Sequence, residues 1–342
     1  MMNISILGAG AWGTALGITF SQKHNVVLWV RDLEQAKKMA AFRVNERYLP
    51  NIFLPNHLAI ENDFKKATEQ AALIILATPV LGLRATLQQL AVMPNIPPLL
   101  WVCKGFEANS GLLPHCVVSS VLPNHKIHGV LCGPSFAEEV AKGLPTAVTI
   151  ASQNEAFASC YAKSLSHSRF RVYANTDLIG AEIGAATKNV IAIACGVLEG
   201  LALGLNARSA LITRGLAEIS SLTIAMGGKQ TTLSGLSGIG DLMLTCTGAL
   251  SRNRQFGINL AAGASKSILL SALNHTVEGV QTTYEVRKLA KQYQLDMPIT
   301  EAVYFLLEGI MKPADMVSFL MERETKLEFG DSANQLKIED AN

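Results

Sequence analysis

The run Asn3-Ile4-Ser5-Ile6-Leu7 passes directly into Gly8-Ala9-Gly10-Ala11-Trp12-Gly13 and then into a helix-like stretch from Thr14 to Ser21. Strand, glycine turn and helix in immediate succession constrain the fold more tightly than anything else in the chain. Gly8 permits a tight turn, Gly10 lets backbone approach a pyrophosphate, and Gly13 lets the helix pack closely on the strand. The helix N-terminus, with its free N–H groups and positive dipole end, then forms an anion site that needs no charged side chain.

A second strand-like run, Asn25-Val26-Val27-Leu28-Trp29-Val30, ends at Arg31-Asp32, with Arg31 eighteen residues beyond Gly13. A dinucleotide-binding unit places its ribose-reading residue roughly 20 residues past the glycines. An acidic side chain there accepts the ribose 2′-OH of NAD, whereas a nearby arginine accommodates the 2′-phosphate of NADP. The chain offers both, arginine first, so NADP(H) is the favoured cofactor and NAD(H) stays open.

Further short apolar runs alternate with helical patterns: Ala72 to Ala77, Leu99 to Val102 and Val130 to Cys132. Continuous runs of this kind read as strands buried on both faces, and helices between them build a doubly wound parallel sheet. Thr78-Pro79, Lys104-Gly105 and Gly133-Pro134-Ser135 each follow a strand. Ligands of open α/β sheets bind beyond the carboxyl ends of the strands, so these corners are expected to line one crevice. Strand-like pieces at 146–151 and 170–174 close this half. From Asp177 onward the texture becomes helical, over 177–203, 207–226, 254–262, 282–293 and 298–308. The expected fold is an α/β N-terminal Rossmann-like doubly wound sheet followed by an all-α C-terminal domain. The boundaries read as 1–176 for the dinucleotide-binding domain, 177–330 for a helical substrate domain, and 331–342 for a frayed charged tail.

At 342 residues and 49% hydrophobic content, the chain has core enough for two such domains. A net charge of +2 with no run of like charge gives no field of the kind that draws nucleic acid. Residues 1–22 are uncharged but lack a basic leader region and are broken by glycines, and Ala85 to Cys103 carries prolines and glutamines. No membrane-spanning segment is expected, and a cytoplasmic location is. The six cysteines form no Cys-x-x-Cys pair, and the seven histidines are dispersed, so buried free thiols and no metal site are expected.

Three segments of the helical half carry reactive side chains. At helical spacing Ala181, Gly184, Lys188, Ala192 and Cys195 share a face, which makes Lys188 the one long, charged member of a small-residue stripe. On its own this pattern also suits a lysine reaching past a packed helix to water. In Leu236 to Thr245 the glycines bring backbone close to something, and Asp241 and Thr245 lie one turn apart if a helix begins at Gly240. Asp241 as a helix cap is the competing reading. Ser251-Arg252-Asn253-Arg254 is a compact donor set suited to phosphate or carboxylate, or else an exposed helix start.

Taken jointly, these motifs resemble the bacterial-type NAD(P)-dependent glycerol-3-phosphate dehydrogenases. The similarity is carried by Gly8 to Leu16, Lys104-Gly105-Phe106, Gly133-Pro134-Ser135-Phe136-Ala137, Glu182 to Gly196, Leu236 to Arg254 and Val277-Glu278-Gly279. Thr276 departs from the valine common in that family beside the cofactor. The resemblance implies reversible hydride transfer between the nicotinamide and dihydroxyacetone phosphate, giving sn-glycerol 3-phosphate for phospholipid synthesis, in a homodimer without metal. It places Lys188, Lys104 and Asp241 at the chemistry. Gly133, Ser135, Ser251, Arg252 and Asn253 join them on the substrate. It places Gly8, Gly10, Ala11, Trp12, Gly13, Arg31, Lys104, Ala137, Arg252 and Glu278 on the cofactor. A lysine held dry beside a ketone can stabilise the developing alkoxide and supply its proton, which suits this assignment. Two rivals remain: a β-hydroxyacid or ketopantoate-type dehydrogenase of similar build, and a non-catalytic NADPH-sensing protein. The anion-binding set after Asp241 disfavours the first; retention of all three reactive residues disfavours the second.

Overall fold

The computed structural model describes residues 1–272 and 277–324, so Thr276 and the tail expected over 331–342 lie outside the described residues. The strands are β1 (Asn3–Leu7), β2 (Asn25–Trp29), β3 (Val44–Asn45), β4 (Leu49–Phe53), β5 (Ala59–Glu61), β6 (Leu73–Leu76), β7 (Leu99–Trp101), β8 (His128–Cys132), β9 (Thr146–Ala151) and β10 (Phe170–Asn175). Among them run helices α1 (Ala11–Ser21), α2 (Leu33–Phe42), α3 (Phe64–Thr68), α4 (Val80–Leu90), α5 (Pro114–Val121), α6 (Ala137–Ala141) and α7 (Glu155–Leu165). The remainder comprises α8 (Leu178–Gly200), α9 (Gly204–Ala225), α10 (Gln230–Leu233), α11 (Asp241–Thr247), α12 (Arg252–Ala261), α13 (Lys266–Ala272), α14 (Glu278–Gln292), α15 (Pro298–Leu307) and α16 (Asp315–Met321).

Eight strands form one sheet in the order β10-β9-β8-β7-β6-β1-β2-β5, while β3 and β4 make a separate hairpin. β1 pairs in parallel with β2 on one side and β6 on the other, so the chain's winding reverses at β1. All four residues of β6 are buried, as a run of four apolar residues covered on both faces requires. The sheet is not parallel throughout. β9 runs antiparallel to β8, and β10 then pairs in parallel with β9. A parallel return needs a crossover over the sheet face. Between β8 and β9 the chain has only the short α6, which packs on α1, so it folds straight back. The pieces β3 to β5 carry no strand-like pattern in the sequence, since β4 reads Leu-Pro-Asn-Ile-Phe.

Side-chain caps start several helices. Asp32 Oδ1 accepts the Gln35 N–H at 2.7 Å at the head of α2, and Asn154 Oδ1 accepts that of Phe157 at 3.0 Å at the head of α7. Asp177 does more: Oδ1 accepts the Gly180 N–H that begins α8, while Oδ2 accepts from the Lys229 N–H and the Thr232 hydroxyl. One carboxylate thus joins the end of the sheet region to α8 and α10. Cys160 is exposed on α7 and Cys116 half-buried, so the expectation that all six thiols are buried fails at these two. Both sit on amphipathic helices whose outer face the neighbouring apolar run does not cover.

Apart from the half-buried Ile179, α8 is buried from Leu178 through Leu198, and it is the axis of the helical half. By length and composition it is apolar enough to cross a membrane, but 94% of its apolar window is enclosed by protein. It is wrapped by α9, α11, α12, α14 and α15. Small residues make this possible. A Cβ on Gly196 would lie 2.0 Å from Arg254 O, and one on Gly257 would lie 2.0 Å from Ile193 O, so α8 and α12 cross backbone to backbone. Replacing a free helical glycine with alanine stabilises by about 1 kcal/mol. Gly257→Ala is expected to do the reverse, costing about 1–3 kcal/mol because backbone must move. Guanidinium denaturation measures it, and a variant as stable as wild type would contradict the packing.

Candidate active site

In an open α/β sheet ligands bind outside the carboxyl ends of the strands at the point where the winding reverses, which here is the paired ends of β1 and β6. Gly8 adopts φ +124° there, and a Cβ on it would sit 2.7 Å from Ala77 O. A Cβ on Gly13 would sit 2.0 Å from Gly8 O, which confirms the close helix-strand approach expected of that glycine. Over Gly10 there is open space, with nothing within 4 Å of its Cβ position. Gly10 is also the residue heading α1, and no side chain caps that helix. Ala11 and Trp12 form its first turn, with Trp12 and Ala137 both packed on the same core. Asn45, a residue without any signal in the sequence, steadies the turn by donating to Ala9 O at 2.9 Å and Thr14 Oγ1 at 2.8 Å. The open cradle and bare helix terminus fit a dinucleotide pyrophosphate.

Arg31 and Asp32 are both exposed just past β2. Asp32 is engaged in capping α2, whereas Arg31 makes no ion pair among the described residues. Glu278 opens α14. Burial raises its carboxyl pKa against the opposing charges of Arg252, Lys104 and Lys188.

Lys104, Asp241 and Lys188 come together from three elements. Lys104, past the end of β7, donates to Asp241 Oδ2 at 2.9 Å; Lys188, in mid-α8, donates to Asp241 Oδ1 and to Thr245 Oγ1, the latter at 2.9 Å. Asp241 is 1% exposed and Lys188 5%, so neither reaches water. The lysine is therefore not one that extends to solvent, and Asp241 does not cap its helix. Burial, together with the charge of Lys104, lowers the Lys188 pKa to about 8 despite the opposing pull of Asp241. At Lys104 burial acts in the same direction, but the charge and hydrogen bond of Asp241 outweigh it and the pKa rises. Asp241 itself is held below the usual carboxylate range, its burial being overcome by the two ammonium groups.

The wide turn at 236–240 delivers Asp241. A Cβ on Gly238 would lie 2.1 Å from Leu233 O, so the glycines are needed for this close fold. The Gly133 to Phe136 corner touches the same segment, since the Phe136 ring lies against Gly248 and Pro134 beside Gly240. Gly133 adopts φ +136°, and the half-buried Ser135 donates its hydroxyl to Gly133 O at 2.9 Å.

Asn189, next to Lys188, accepts from Asn253 Nδ2 at 3.0 Å, and Asn253 Oδ1 accepts the Gly279 N–H at 3.0 Å. Asn253 is thus largely engaged in joining α8, α12 and α14. Ser251 is buried and caps α12, accepting the Arg254 N–H at 3.3 Å. Arg252 is exposed and makes no ion pair among the described residues. Arg254, the last of the four, is held by Glu199. Sequence reasoning gave no role to Asn189, and Thr245 was visible only through its spacing from Asp241.

A bare glycine turn at a sheet's switch point, with a dry lysine-aspartate cluster where helices close over the same edge, defines a two-domain nucleotide-dependent dehydrogenase. Two family models cover the chain, the N-terminal region of NAD-dependent glycerol-3-phosphate dehydrogenase over residues 3–158 and its C-terminal region over 177–318. A glycerol-3-phosphate dehydrogenase [NAD(P)+] of Dechloromonas aromatica is 51% identical over 96% of this chain and 99% of its own. The crystal structure of a glycerol-3-phosphate dehydrogenase from Coxiella burnetii superposes with a TM-score of 0.89 at 40% identity, covering 94% of this chain and 99% of its own. The chain belongs to the NAD(P)-dependent glycerol-3-phosphate dehydrogenases and is an oxidoreductase. A probable 2-dehydropantoate 2-reductase from Bacillus subtilis shares the fold alone, with a TM-score of 0.55 at 16% identity over 91% of this chain and all of its own.

If Arg31 pairs with a 2′-phosphate, Arg31→Ala will weaken NADPH more than NADH, by about tenfold or more for a lost charge-assisted pair. Fluorescence titration with both cofactors measures this. Equal losses would mean that Arg31 stacks or packs instead.

Proposed function

We propose that the protein reversibly reduces dihydroxyacetone phosphate to sn-glycerol 3-phosphate, with Lys188 as the proton donor. The observation that carries this is the buried Lys104-Asp241-Lys188 cluster, whose Lys104 follows β7 at the same carboxyl edge of the sheet as the glycine turn after β1. Bound NAD(P)H supplies the hydride. Lys104 and Lys188 offer two positive charges to one carboxylate, leaving a net positive charge for the oxygen that becomes an alkoxide. Lys188 delivers the proton in reduction and, neutral, takes it back in oxidation. Asp241 and Thr245 fix where its Nζ points.

Residues 1–176 would bind the cofactor and 177–330 the substrate. On the substrate, Gly133 and Ser135 would contribute donors from their corner, and Ser251 and Asn253 their remaining hydrogens. Arg252 would grip the phosphate, since a guanidinium stays charged at any working pH and its planar fork matches such an anion. Gly8, Gly10, Ala11, Trp12 and Gly13 would hold the pyrophosphate, with Arg31, Lys104, Ala137, Arg252 and Glu278 completing the cofactor contacts. The family resemblance further supports a homodimer in the cytoplasm whose product feeds phospholipid synthesis.

Arg252→Ala should raise KM for dihydroxyacetone phosphate strongly and lower kcat as well, because phosphate binding also holds the ketone in place. Unphosphorylated dihydroxyacetone should be a poor substrate for wild type and scarcely poorer for the variant. Cofactor oxidation followed optically with both ketones decides. If the variant loses the same factor on each, the phosphate is held elsewhere. Turnover of a ketoacid such as ketopantoate in place of both would favour the alternative dehydrogenase class.

A further inference from the structure

Glu182 lies on α8 outside the reacting cluster and is 3% exposed. Its Oε1 accepts the indole N–H of Trp101 at 2.9 Å and the backbone N–H of His115 at 3.0 Å, while Oε2 pairs with His115 Nδ1. The cluster behind it is apolar, with Leu178, Ala181 and Ala185 of α8 packed on the sheet side. An apolar residue of similar size would fill such a place at lower desolvation cost, so a buried charge here calls for a role that packing cannot supply.

Trp101 is the last residue of β7, three before Lys104, and Glu182 stands six before Lys188 on α8. The segments joined by this one carboxylate are the two that bring ammonium groups to Asp241. Leu178, Ala181 and Ala185 present a smooth face on which a helix can roll, whereas a hydrogen bond to one indole N–H permits a single rotation. A roll of about 20° moves a side-chain tip at the helix surface by on the order of 2 Å. Errors of about 1 Å in placing a reacting group cost on the order of 10²-fold in rate.

We propose that Glu182 is a positioning residue for the reaction: its hydrogen bond to Trp101 fixes the roll of α8 against β7 and so sets the meeting of Lys104 and Lys188 on Asp241. This rests on the catalytic reading of the two lysines. His115 is the titratable group facing Glu182 from α5, and its pKa rises to about 10, burial being outweighed by contacts with Cys116 and Glu182. It therefore stays protonated across the working range. Cys103 and Cys132 lie nearby as thiols, burial pushing Cys132 up to about 12 and Cys103 higher still.

The full-length protein carrying Glu182→Leu, Glu182→Gln or Trp101→Phe tests the proposal through kcat, KM, cofactor affinity, melting temperature and the pH dependence of kcat. Glu182→Leu should lower kcat at least tenfold, leave cofactor affinity within about threefold, and shift the alkaline limb of the kcat profile. Glu182→Gln should recover most of the rate, because its amide oxygen still accepts from Trp101. Trp101→Phe, which removes the N–H together with the five-membered ring that carries it, should lower kcat at least threefold with KM little changed, and it decides the matter alongside Glu182→Gln if Glu182→Leu fails to fold. A Trp101→Phe enzyme with wild-type kcat and an unmoved pH profile overturns the proposal, whatever its melting temperature. Lys188→Ala assayed in parallel separates the two readings. Wild-type turnover in Lys188→Ala removes the lysine mechanism, whereas an impaired Lys188→Ala beside a normal Trp101→Phe removes only the role of Glu182.

Discussion

Two ammonium groups share one carboxylate in the interior of this protein, and most of the architecture is arranged around that contact. Asp241 accepts from Lys104 on one oxygen and from Lys188 on the other. Burying three charges is costly unless they neutralise one another, and here a positive charge is left over. The surplus shows in the Lys188 pKa, lowered to about 8 by burial and by its neighbour Lys104. A site in that condition favours a ligand bringing negative charge, or developing it at the transition state. Because the shared charge couples the lysines, their protons belong to the cluster as a whole rather than to either side chain.

Holding the cluster requires three segments to meet within a hydrogen bond's length. Lys104 comes off the sheet, Lys188 from the centre of α8, and Asp241 from a glycine-built turn. The last two approach because glycine replaces bulk: a Cβ on Gly184 of α8 would lie 2.6 Å from Ser237 O. On the other side Glu182 pins α8 to β7 and Asp177 pins its start to α10, while Asn253 and Asn189 pin α12 and α14 to it. α8 is thus both the core of the helical half and the carrier of its reactive side chain. The glycine turn at the end of β1 opens on the same edge of the sheet, where cofactor and substrate have to meet.

Much of this was legible in the sequence because local chemistry enforces it. The β1 turn follows from the spacing of Gly8, Gly10 and Gly13, and the strands from short apolar runs. The small-residue stripe singled out Lys188 but equally suited a lysine reaching water, and the family resemblance was needed to place it at the chemistry. The reversal at β9 was not legible, since nothing in Thr146 to Ala151 encodes direction, which depends on whether α6 crosses the sheet. Glu182 and Asn45 were also invisible in this respect. A glutamate in a helix and an asparagine between short strands look ordinary until residues far away in sequence supply their partners. For Asn253 the sequence suggested a ligand contact, and the structure shows most of its amide used in holding helices together.

The shared carboxylate is tested most directly by the pH dependence of kcat in both directions, for wild type and Asp241→Asn. With Lys188 as proton donor, reduction of dihydroxyacetone phosphate should fall as pH rises through about 8, where the lysine loses its proton, and oxidation of sn-glycerol 3-phosphate should rise over the same range. Removing the negative charge of Asp241 disfavours both ammonium groups, so in Asp241→Asn each limb should move to lower pH and the maximal rate should fall. Limbs that stay in place, or move to higher pH, in a folded Asp241→Asn enzyme would contradict the claim that this carboxylate sets the protonation of the catalytic lysine.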